Sequence, residues 1–503
     1  MSDEGGADGD DVEDADTDAE TVVRRDRFAG GPARGFMSSL AADERIFAAD
    51  LAVDRAHTVM LAERGIVGDD EAAEILSGLD AVEGAGHGSL PDGEDVHEAI
   101  ESAVVAEVGD VGGKMHTARS RNDEVAACIR YRYREDLLDA AEATLALREA
   151  LLDTAADHAD TVMPGFTHRQ YAQPVTVGHY LSSYAGAIER DTARLLAAFD
   201  RTNESPLGGA AFGGTTFDID RERTAALLGF DAVVENSTDA ASARDFLVEG
   251  TAALANLTAT LSGLAADLIE HAKDGYFLPS DDYASTSSIM PQKVNPDTLE
   301  LARAVAGDVS GDLTGLFTTL KGLPRAYNRD LQRATPHAWD AVDDATEATE
   351  VVAGAVATGD WDAEACAADA GAGFSTATGV ADALAAVGIP FRTAHEVVAE
   401  AAATAPDDAE PETLAANLDA AAQDVLGESL YEYVSREDID AALEPAGSVA
   451  SRASRGGPAP DAVADSLARM TQTYDAHEAE LAARRDALVA AETNLTRAVE
   501  SYV

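Results

Sequence analysis

Basic and polar residues are crowded into one segment, 114–123, which directly precedes a predicted helix. Arg119 and Arg121 stand on either side of a serine, and an asparagine follows them. Two guanidinium groups beside such donors at a helix N-terminus favour a carboxylate-binding site, because charge, fork geometry and helix dipole act together. The segment alone leaves a second interpretation open, in which Asp123 caps the helix and the arginines are simply solvated.

A histidine, His168, follows a Pro-Gly turn and is preceded by Thr167. A lone histidine is more often structural than catalytic. In this polar setting, however, the turn can present a titratable imidazole to a cleft. We therefore interpret His168 as a candidate acid or base.

A serine-rich segment, 285–297, combines Ser287 with Lys293 and an asparagine between two prolines. This composition predicts a loop rich in hydrogen-bond donors. A serine can act as a base only where its alkoxide is stabilised, and Lys293 together with backbone amides could stabilise it.

Lysine is almost absent from the chain, because arginine supplies nearly all of the 36 basic residues. The four lysines are Lys114, Lys273, Lys293 and Lys321. Where composition has removed lysine almost everywhere, a remaining lysine inside a polar motif is a candidate for chemistry. Lys114 and Lys293 both meet that description.

Long amphipathic segments in the middle of the chain must position these motifs. Leucines recur at helical spacing in one segment, and alanine, valine and leucine do so in the next: Leu247, Leu254, Leu257, Leu261, Leu264 and Leu268, then Ala302, Ala306, Val309, Leu313, Leu316 and Leu320. This spacing predicts narrow apolar seams that pack in a helix bundle. Loops rich in Gly, Ser, Thr and Pro join the segments and are the expected location of a site.

Composition divides the chain and limits its partners. We predict an acidic tail at 1–23, an N-terminal helical domain at 24–117, a central bundle at 118–372 and a small helical domain at 373–503. The formal net charge of −57 argues against nucleic-acid and anionic-membrane partners, since both need basic patches. With 46% hydrophobic residues, the charge indicates a folded protein with an acidic surface suited to concentrated salt.

Cysteine content and hydropathy bear on location. The two cysteines, Cys128 and Cys366, are too few for a disulfide framework or a cysteine-based metal site, and we expect both to be buried. We find no signal peptide and no apolar run of spanning length. The sequence therefore predicts a cytoplasmic protein without a membrane partner.

The candidate motifs together resemble the argininosuccinate lyase family of the fumarase/aspartase superfamily. The segment Ser-Ser-Ile-Met-Pro-Gln-Lys-Val-Asn-Pro at 287–296 matches the superfamily signature. The run at 116–123 and the pairs Thr167-His168 and Gln173-Pro174 narrow the match to this family, and further matches extend it from about residue 24 to the C-terminus.

The resemblance implies an all-α, three-domain fold whose central helices form a twenty-helix core in a homotetramer, with active sites shared between subunits. It implies reversible elimination of fumarate from argininosuccinate to give arginine, the last step of arginine biosynthesis, without a metal or organic cofactor. Four residues would be catalytic: His168, Ser287, Lys293 and Glu300. Eight would bind substrate: Ser39, Ser120, Arg121, Asn122, Thr167, Asn295, Tyr327 and Gln332.

By the same resemblance, His168 and Ser287 would form the acid–base pair, and Glu300 would orient His168. Thr167, Lys293 and Asn295 would hold the fumarate half, and Tyr327 and Gln332 the arginine half. Ser287 is the favoured carbon base, and the reverse assignment stays open.

Three positions depart from the family pattern: Thr286 replaces a glycine, Val294 a lysine, and Thr335 a substrate-binding lysine, which Arg333 could replace. Two alternatives remain. The chain could be another fumarate-releasing lyase such as an adenylosuccinate lyase, which the paired arginines disfavour. It could also be a non-catalytic relative of the crystallin type, which the intact candidate catalytic residues disfavour.

Overall fold

The computed structural model describes residues 32–406 and 409–503, so the predicted acidic tail lies outside the described residues. The helices are α1 Pro32–Met37, α2 Phe47–Glu63, α3 Asp69–Ala85, α4 Val96–Val108, α5 Arg121–Asp157, α6 Val177–Thr202, α7 Arg221–Leu227, α8 Ser237–Ser242, α9 Asp245–Asp274, α10 Asp297–Leu320, α11 Leu331–Thr358, α12 Ala363–Asp369, α13 Ala377–Ala386, α14 Phe391–Thr404, α15 Pro411–Leu426, α16 Arg436–Leu443, α17 Pro445–Ala450 and α18 Pro460–Glu500. The predicted all-α fold is confirmed.

The strands are short and form two-stranded ladders. They are β1 Val162–Thr167, β2 Gln170–Thr176, β3 Glu204–Ser205, β4 Ala232–Val233, β5 Phe277–Leu278, β6 Ser285–Thr286, β7 Val294–Asn295 and β8 Asp360–Trp361. β1 pairs with β2, β5 with β8 and β6 with β7 in antiparallel register, and β3 pairs with β4 in parallel. Short 3-10 segments complete the fold at Ala42–Ile46, His87–Ser89, Gly109–His116, Asp281–Tyr283, Ala372–Phe374 and Leu430–Glu432.

Five long helices, α5, α6, α9, α10 and α11, form the central bundle. α6 begins where α5 ends, since the Gly178 amide donates to the His158 carbonyl. The C-terminal ends of α9 and α11 lie at that same end of the bundle, where Arg169 pairs with Glu270 and Ser280 bonds Thr358. The N-termini of α5 and α11 therefore lie together at the opposite end.

The predicted apolar seams form the core of this bundle. All six leucines of α9 in the first seam are fully buried. In α10, Ala302, Val309 and Leu316 are buried, whereas Ala306, Leu313 and Leu320 are half-buried. The second seam is therefore shallower, and much of α10 faces outward.

α9 corrects one expectation from the sequence. Its 30 residues include a window apolar enough to cross a membrane by length and composition, with mean hydropathy 1.4, so the prediction that no apolar run reaches spanning length is wrong. Such a helix is also typical of a soluble core. In this chain its leucine face packs against α6, α10 and α11.

Two smaller hydrophobic clusters flank the bundle. One joins α2, α3 and α4 to the ends of α5 and α18, and the other is formed by residues of α13 to α16. The 41-residue helix α18 packs against α5 and α6 rather than against the second cluster. The predicted domain boundaries stay a prediction, and the structure adds that the last helix returns to the bundle. Both cysteines are buried, as expected.

Candidate active site

The N-terminus of α5 is fixed by a capping box. The Ser120 hydroxyl accepts a hydrogen bond from the Asn122 amide at 3.3 Å, and the Ser120 amide donates to Asp123 Oδ1 at 3.0 Å. The other Asp123 oxygen accepts from the Gly208 and Ala210 amides at 2.9 and 2.8 Å. Asp123 therefore caps the helix together with the N-cap residue Ser120, as the second interpretation expected, but the other part of that interpretation is wrong because Arg119 is buried and not solvated. The cap also anchors a glycine-rich loop beside the motif.

The two arginines of the motif have different environments. Arg119 is buried and forms ion pairs with Asp54 and, at 2.8 Å, with Glu124. Arg121 is only half-buried, and its Nη1 atom lies 3.4 Å from Asp95. Arg119 is thus a structural cation, whereas Arg121 is less buried and only loosely held, at 3.4 and 3.9 Å from Asp95 and Glu98, beside the predicted carboxylate site.

A buried carboxylate cluster lies behind the α5 N-terminus. Ligand-type oxygens of Asp50, Asp54 and Glu124 lie within 4.8 Å of one another, a spacing that could hold a metal ion. The guanidinium of Arg119 already pairs with two of the three carboxylates. The cation that this cluster needs is therefore supplied by the chain itself.

A cavity of about 90 Å³ collects three of the predicted substrate-binding residues, Ser39, Tyr327 and Gln332. The Ser39 hydroxyl donates to Asp43 at 2.7 Å, and Gln332 Nε2 donates to the Met37 carbonyl at 2.9 Å. Thr335 lines the same cavity, while the exposed Arg333 is not among its lining residues. The suggestion that Arg333 replaces the family lysine therefore finds no support.

Five charged or titratable lining residues were not predicted as site residues from the sequence: Asp43, Asp95, His97, Arg244 and Arg329. Burial opposes charge on His97, but Asp50 at 2.8 Å and Glu124 outweigh it and raise its pKa to about 10. Burial also raises the pKa of Asp43 above its usual range. No spacing rule marks these residues, because Asp95 and His97 open α4 while the others come from distant parts of the chain, and only the fold brings them together.

His168 lies at the tip of the β1–β2 hairpin. Thr167 pairs with Gln170, so the turn consists of His168 and Arg169 alone, with φ of 53° and 63°. A two-residue turn of this kind requires positive φ at both positions and usually contains asparagine and glycine. The strained, exposed His168 therefore projects from the bundle, which is typical of a functional position.

The serine-rich segment forms a second projecting loop, closed at its base by β6 and β7. The half-buried Ser287 hydroxyl oxygen accepts hydrogen bonds from the amides of Ile289 and Met290 at 3.3 and 3.1 Å. Donors aimed at this oxygen stabilise negative charge on it. The backbone amides expected for an alkoxide are thus present.

Lys293 lies on the same loop, exposed and without an ion-pair partner among the described residues. Lys114, in contrast, pairs with Glu71 at the surface, so the expectation that it serves the site is not supported. Glu300 is exposed in the first turn of α10. Within the described chain it has no hydrogen bond or ion pair to His168, and their predicted contact stays a prediction.

The candidate residues fall into two groups at opposite ends of the bundle. Residues 120–122 open α5, and the hairpin that carries His168 follows its C-terminus. At about 1.5 Å per residue, the 37 residues of α5 separate the groups by about 55 Å. One chain therefore does not bring all of the predicted site residues together.

Comparisons with known proteins agree on the kind of protein. A family described as lyase matches residues 34–311, and one described as argininosuccinate lyase C-terminal matches 374–450. The chain is 66% identical to the argininosuccinate lyase of Natronomonas pharaonis, covering 97% of this chain and 98% of that protein. It is 61% identical to that of Haloarcula marismortui, covering 99% and 100%.

Solved structures show the same fold. An EDDS lyase in complex with formate matches with a TM-score of 0.83 and 34% identity over 94% of this chain and 96% of that one. A fumarate lyase from Mesorhizobium sp. BNC1, at 20% identity, matches with a TM-score of 0.67 over 86% and 97% and supports the fold alone. The chain belongs to the argininosuccinate lyase family, whose members are enzymes with the fold of the fumarase/aspartase superfamily.

Proposed function

We propose that this lyase splits argininosuccinate into arginine and fumarate, in the cytoplasm and as the last step of arginine biosynthesis, at active sites assembled from several subunits of a homotetramer. The observation that carries the shared site is the distance of about 55 Å between the two groups of candidate residues. Neither group alone contains both a substrate cavity and an acid–base pair.

The outer face of α10 supports assembly with further copies of the chain. Leu301 and Phe317 are 70% and 60% exposed on this helix, and small residues at 304, 307 and 311 separate them. These two exposed apolar side chains near the ends of the helix, with small residues between them that allow another helix to approach closely, are what we expect of a face covered by a further copy. Four copies of the five-helix bundle would give the twenty helices that the family resemblance implies.

In the assembled site, the cavity at the α5 N-terminus holds the arginine half of the substrate. Tyr327 and Gln332 line this cavity, and Arg121 lies next to it, 3.4 Å from the lining residue Asp95. The projecting loops of other subunits carry Thr167, Lys293 and Asn295 to the fumarate half. This arrangement explains why those loops are exposed in a single chain.

The reaction removes a proton from the carbon beside a carboxylate and then breaks the bond to the guanidinium nitrogen. Ser287 takes the carbon proton, because two backbone amides already stabilise charge on its oxygen. The carboxylate becomes a dianion, which Lys293 and Asn295 stabilise. His168, oriented by Glu300, protonates the departing nitrogen.

Isotope exchange separates the two proton-transfer roles. Argininosuccinate in deuterated water exchanges its carbon-bound proton only if the carbon base is present. We expect His168→Asn to retain exchange without releasing fumarate, and Ser287→Ala to lose both while the tetramer stays intact. Exchange that persists in Ser287→Ala and vanishes in His168→Asn would reverse the assignment.

The substrate is tested by following fumarate release from argininosuccinate and from adenylosuccinate in molar salt. We expect release from argininosuccinate only. Release from adenylosuccinate alone would contradict the proposed substrate. A folded tetramer that releases fumarate from neither compound would be a non-catalytic relative.

A further inference from the structure

Arg244 is a buried cation whose donors are largely unused. It directly precedes α9, is 3% exposed, and lines both the 90 Å³ cavity and an open groove of about 810 Å³ beside it. Its Nη1 atom donates to the adjacent Ala243 carbonyl at 2.9 Å. Its Nε and Nη2 atoms have no hydrogen-bond partner among the described residues.

A second buried guanidinium, Arg130, lies close enough to Arg244 to disfavour its charge. Burial first, and Arg130 second, lower the pKa of Arg244 to about 10, so it stays protonated at neutral pH. Arg130 donates to the carbonyls of Arg201 and Thr202 at 2.9 and 3.2 Å. Neither Arg130 nor Arg244 forms an ion pair with a carboxylate among the residues that the structure describes.

Two adjacent buried cations without an anion are costly to desolvate. Carboxylates line the cavity and the groove beside it, but none of those that the structure describes is within ion-pair distance of either guanidinium. Arg244 therefore presents unused donors to the cavity, with the second cation, Arg130, nearby but outside the lining. The missing anion is therefore expected to come from the ligand.

The cavity identifies which part of the ligand this is. Tyr327 and Gln332 share it with Arg244, and Thr335 stands where the family has a substrate-binding lysine. We propose that Arg244 binds the α-carboxylate of the arginine half of argininosuccinate and so determines specificity for the amino-acid head group. This inference rests on the proposed function, which places the arginine half in this cavity.

The other lining groups fit the same head group. The carboxylates of Asp43 and Asp95 also line the cavity and suit an α-ammonium. The cavity, at about 90 Å³, is far smaller than the groove of about 810 Å³ beside it, so we place the head group in the cavity. Arg244 also lines the adjoining groove, which leaves room for the remainder of the ligand.

Agmatine provides a direct test, because it keeps the ammonium and guanidinium groups of arginine but lacks the carboxylate. We would titrate the intact enzyme in molar salt with arginine and with agmatine and measure both dissociation constants. Wild-type enzyme should bind arginine more tightly. In Arg244→Met the dissociation constant for arginine should rise on the order of 100-fold, while that for agmatine stays unchanged.

The matched control is Arg134→Met, since Arg134 is equally buried but donates to Asn203 and the Leu228 carbonyl away from the cavity. It should leave both dissociation constants unchanged. If Arg244→Met does not fold, Arg244→Lys keeps the charge without the fork and should weaken arginine binding about 10-fold.

The inference would be overturned if a folded Arg244→Met bound arginine as tightly as the wild type does, or if it lost affinity for arginine and agmatine equally. Either result would leave the proposed function intact as long as the wild type releases fumarate. A wild type that binds no arginine and releases no fumarate would instead refute the proposed function.

Discussion

Replacement of Lys293 by arginine is expected to be almost as damaging as its replacement by alanine. Arginine already performs nearly every surface role in this chain, since only four lysines remain among 36 basic residues. A solvated cation at position 293 would therefore tolerate arginine. A cation that must touch one carboxylate oxygen would not, because a guanidinium is a wide, rigid fork and an ammonium is a compact point charge.

The structure sets the size of the effect. The Lys293 amide donates to the Met290 carbonyl at 3.0 Å, in the same turn whose amides bond Ser287, so the Lys293 backbone is fixed relative to the proposed base. Displacement of the reacting group by about 1 Å costs on the order of 10²-fold in rate. That factor corresponds to about 2.7 kcal/mol of lost transition-state stabilisation.

Lys273 is the matched control. It is 69% exposed and pairs with Glu270 and Asp274 at 3.3 and 3.5 Å. Because Lys273→Arg keeps this exposed charge far from the proposed chemistry, it should change kcat by less than a factor of about 5. Fumarate release by both variants would be followed in the same molar salt. Full activity in Lys293→Arg would refute the reasoning that Lys293 holds the reacting carboxylate.

Three further outcomes are expected. The tetramer should dissociate in dilute buffer and reassemble in molar salt, because the net charge of −57 on each chain repels neighbouring subunits when it is poorly screened. A sedimentation profile that does not depend on salt would contradict this. Arg119→Met should lower the free energy of unfolding by about 3–5 kcal/mol by leaving Asp54 and Glu124 buried without their cation, whereas a loss below about 1 kcal/mol in chemical denaturation would show that the pairs contribute little. At fixed salt, the free energy of unfolding should fall as the pH rises from 6.5 to 10. The folded-state pKa of His97 is raised to about 10, and its favourable pairing with Asp50 is lost as the proton leaves. His97→Gln should flatten this part of the plot of melting temperature against pH, and an unchanged slope would contradict the assignment.

The long helices of the fold could be predicted from the sequence, because the helical spacing of apolar residues is a local signal. The leucines of α9 are fully buried, as the spacing predicts. The second seam, in α10, is less covered in a single chain, and spacing alone gives no information on how many copies cover a face. The position of α18 was also not predictable from spacing, since packing of a distant helix on α5 is a tertiary property.

The candidate site was only partly accessible, for a related reason. Motif residues such as Ser287 and Arg121 are marked by their neighbours in sequence, so type and spacing are enough to single them out. Arg244, Asp95 and His97 can be recognised as site candidates only in the folded structure, because their burial and their partners from other elements single them out. The different roles of Arg119 and Arg121 likewise depend on burial. The sequence, in which both arginines stand in one polar segment, does not show which of them is buried.

The central claim, that each active site combines residues from different subunits, is tested most directly by mixing two inactive variants. Arg121→Ala damages the cavity group and Ser287→Ala the loop group, about 55 Å apart along the same chain. The two tetramers would be dissociated together in low salt, reassembled in molar salt and assayed for fumarate release. Shared sites predict recovery of about one quarter of wild-type activity in a 1:1 random mixture, because one site in four receives both intact groups. Sites contained within single chains would stay inactive at every mixing ratio, and that result would contradict the account.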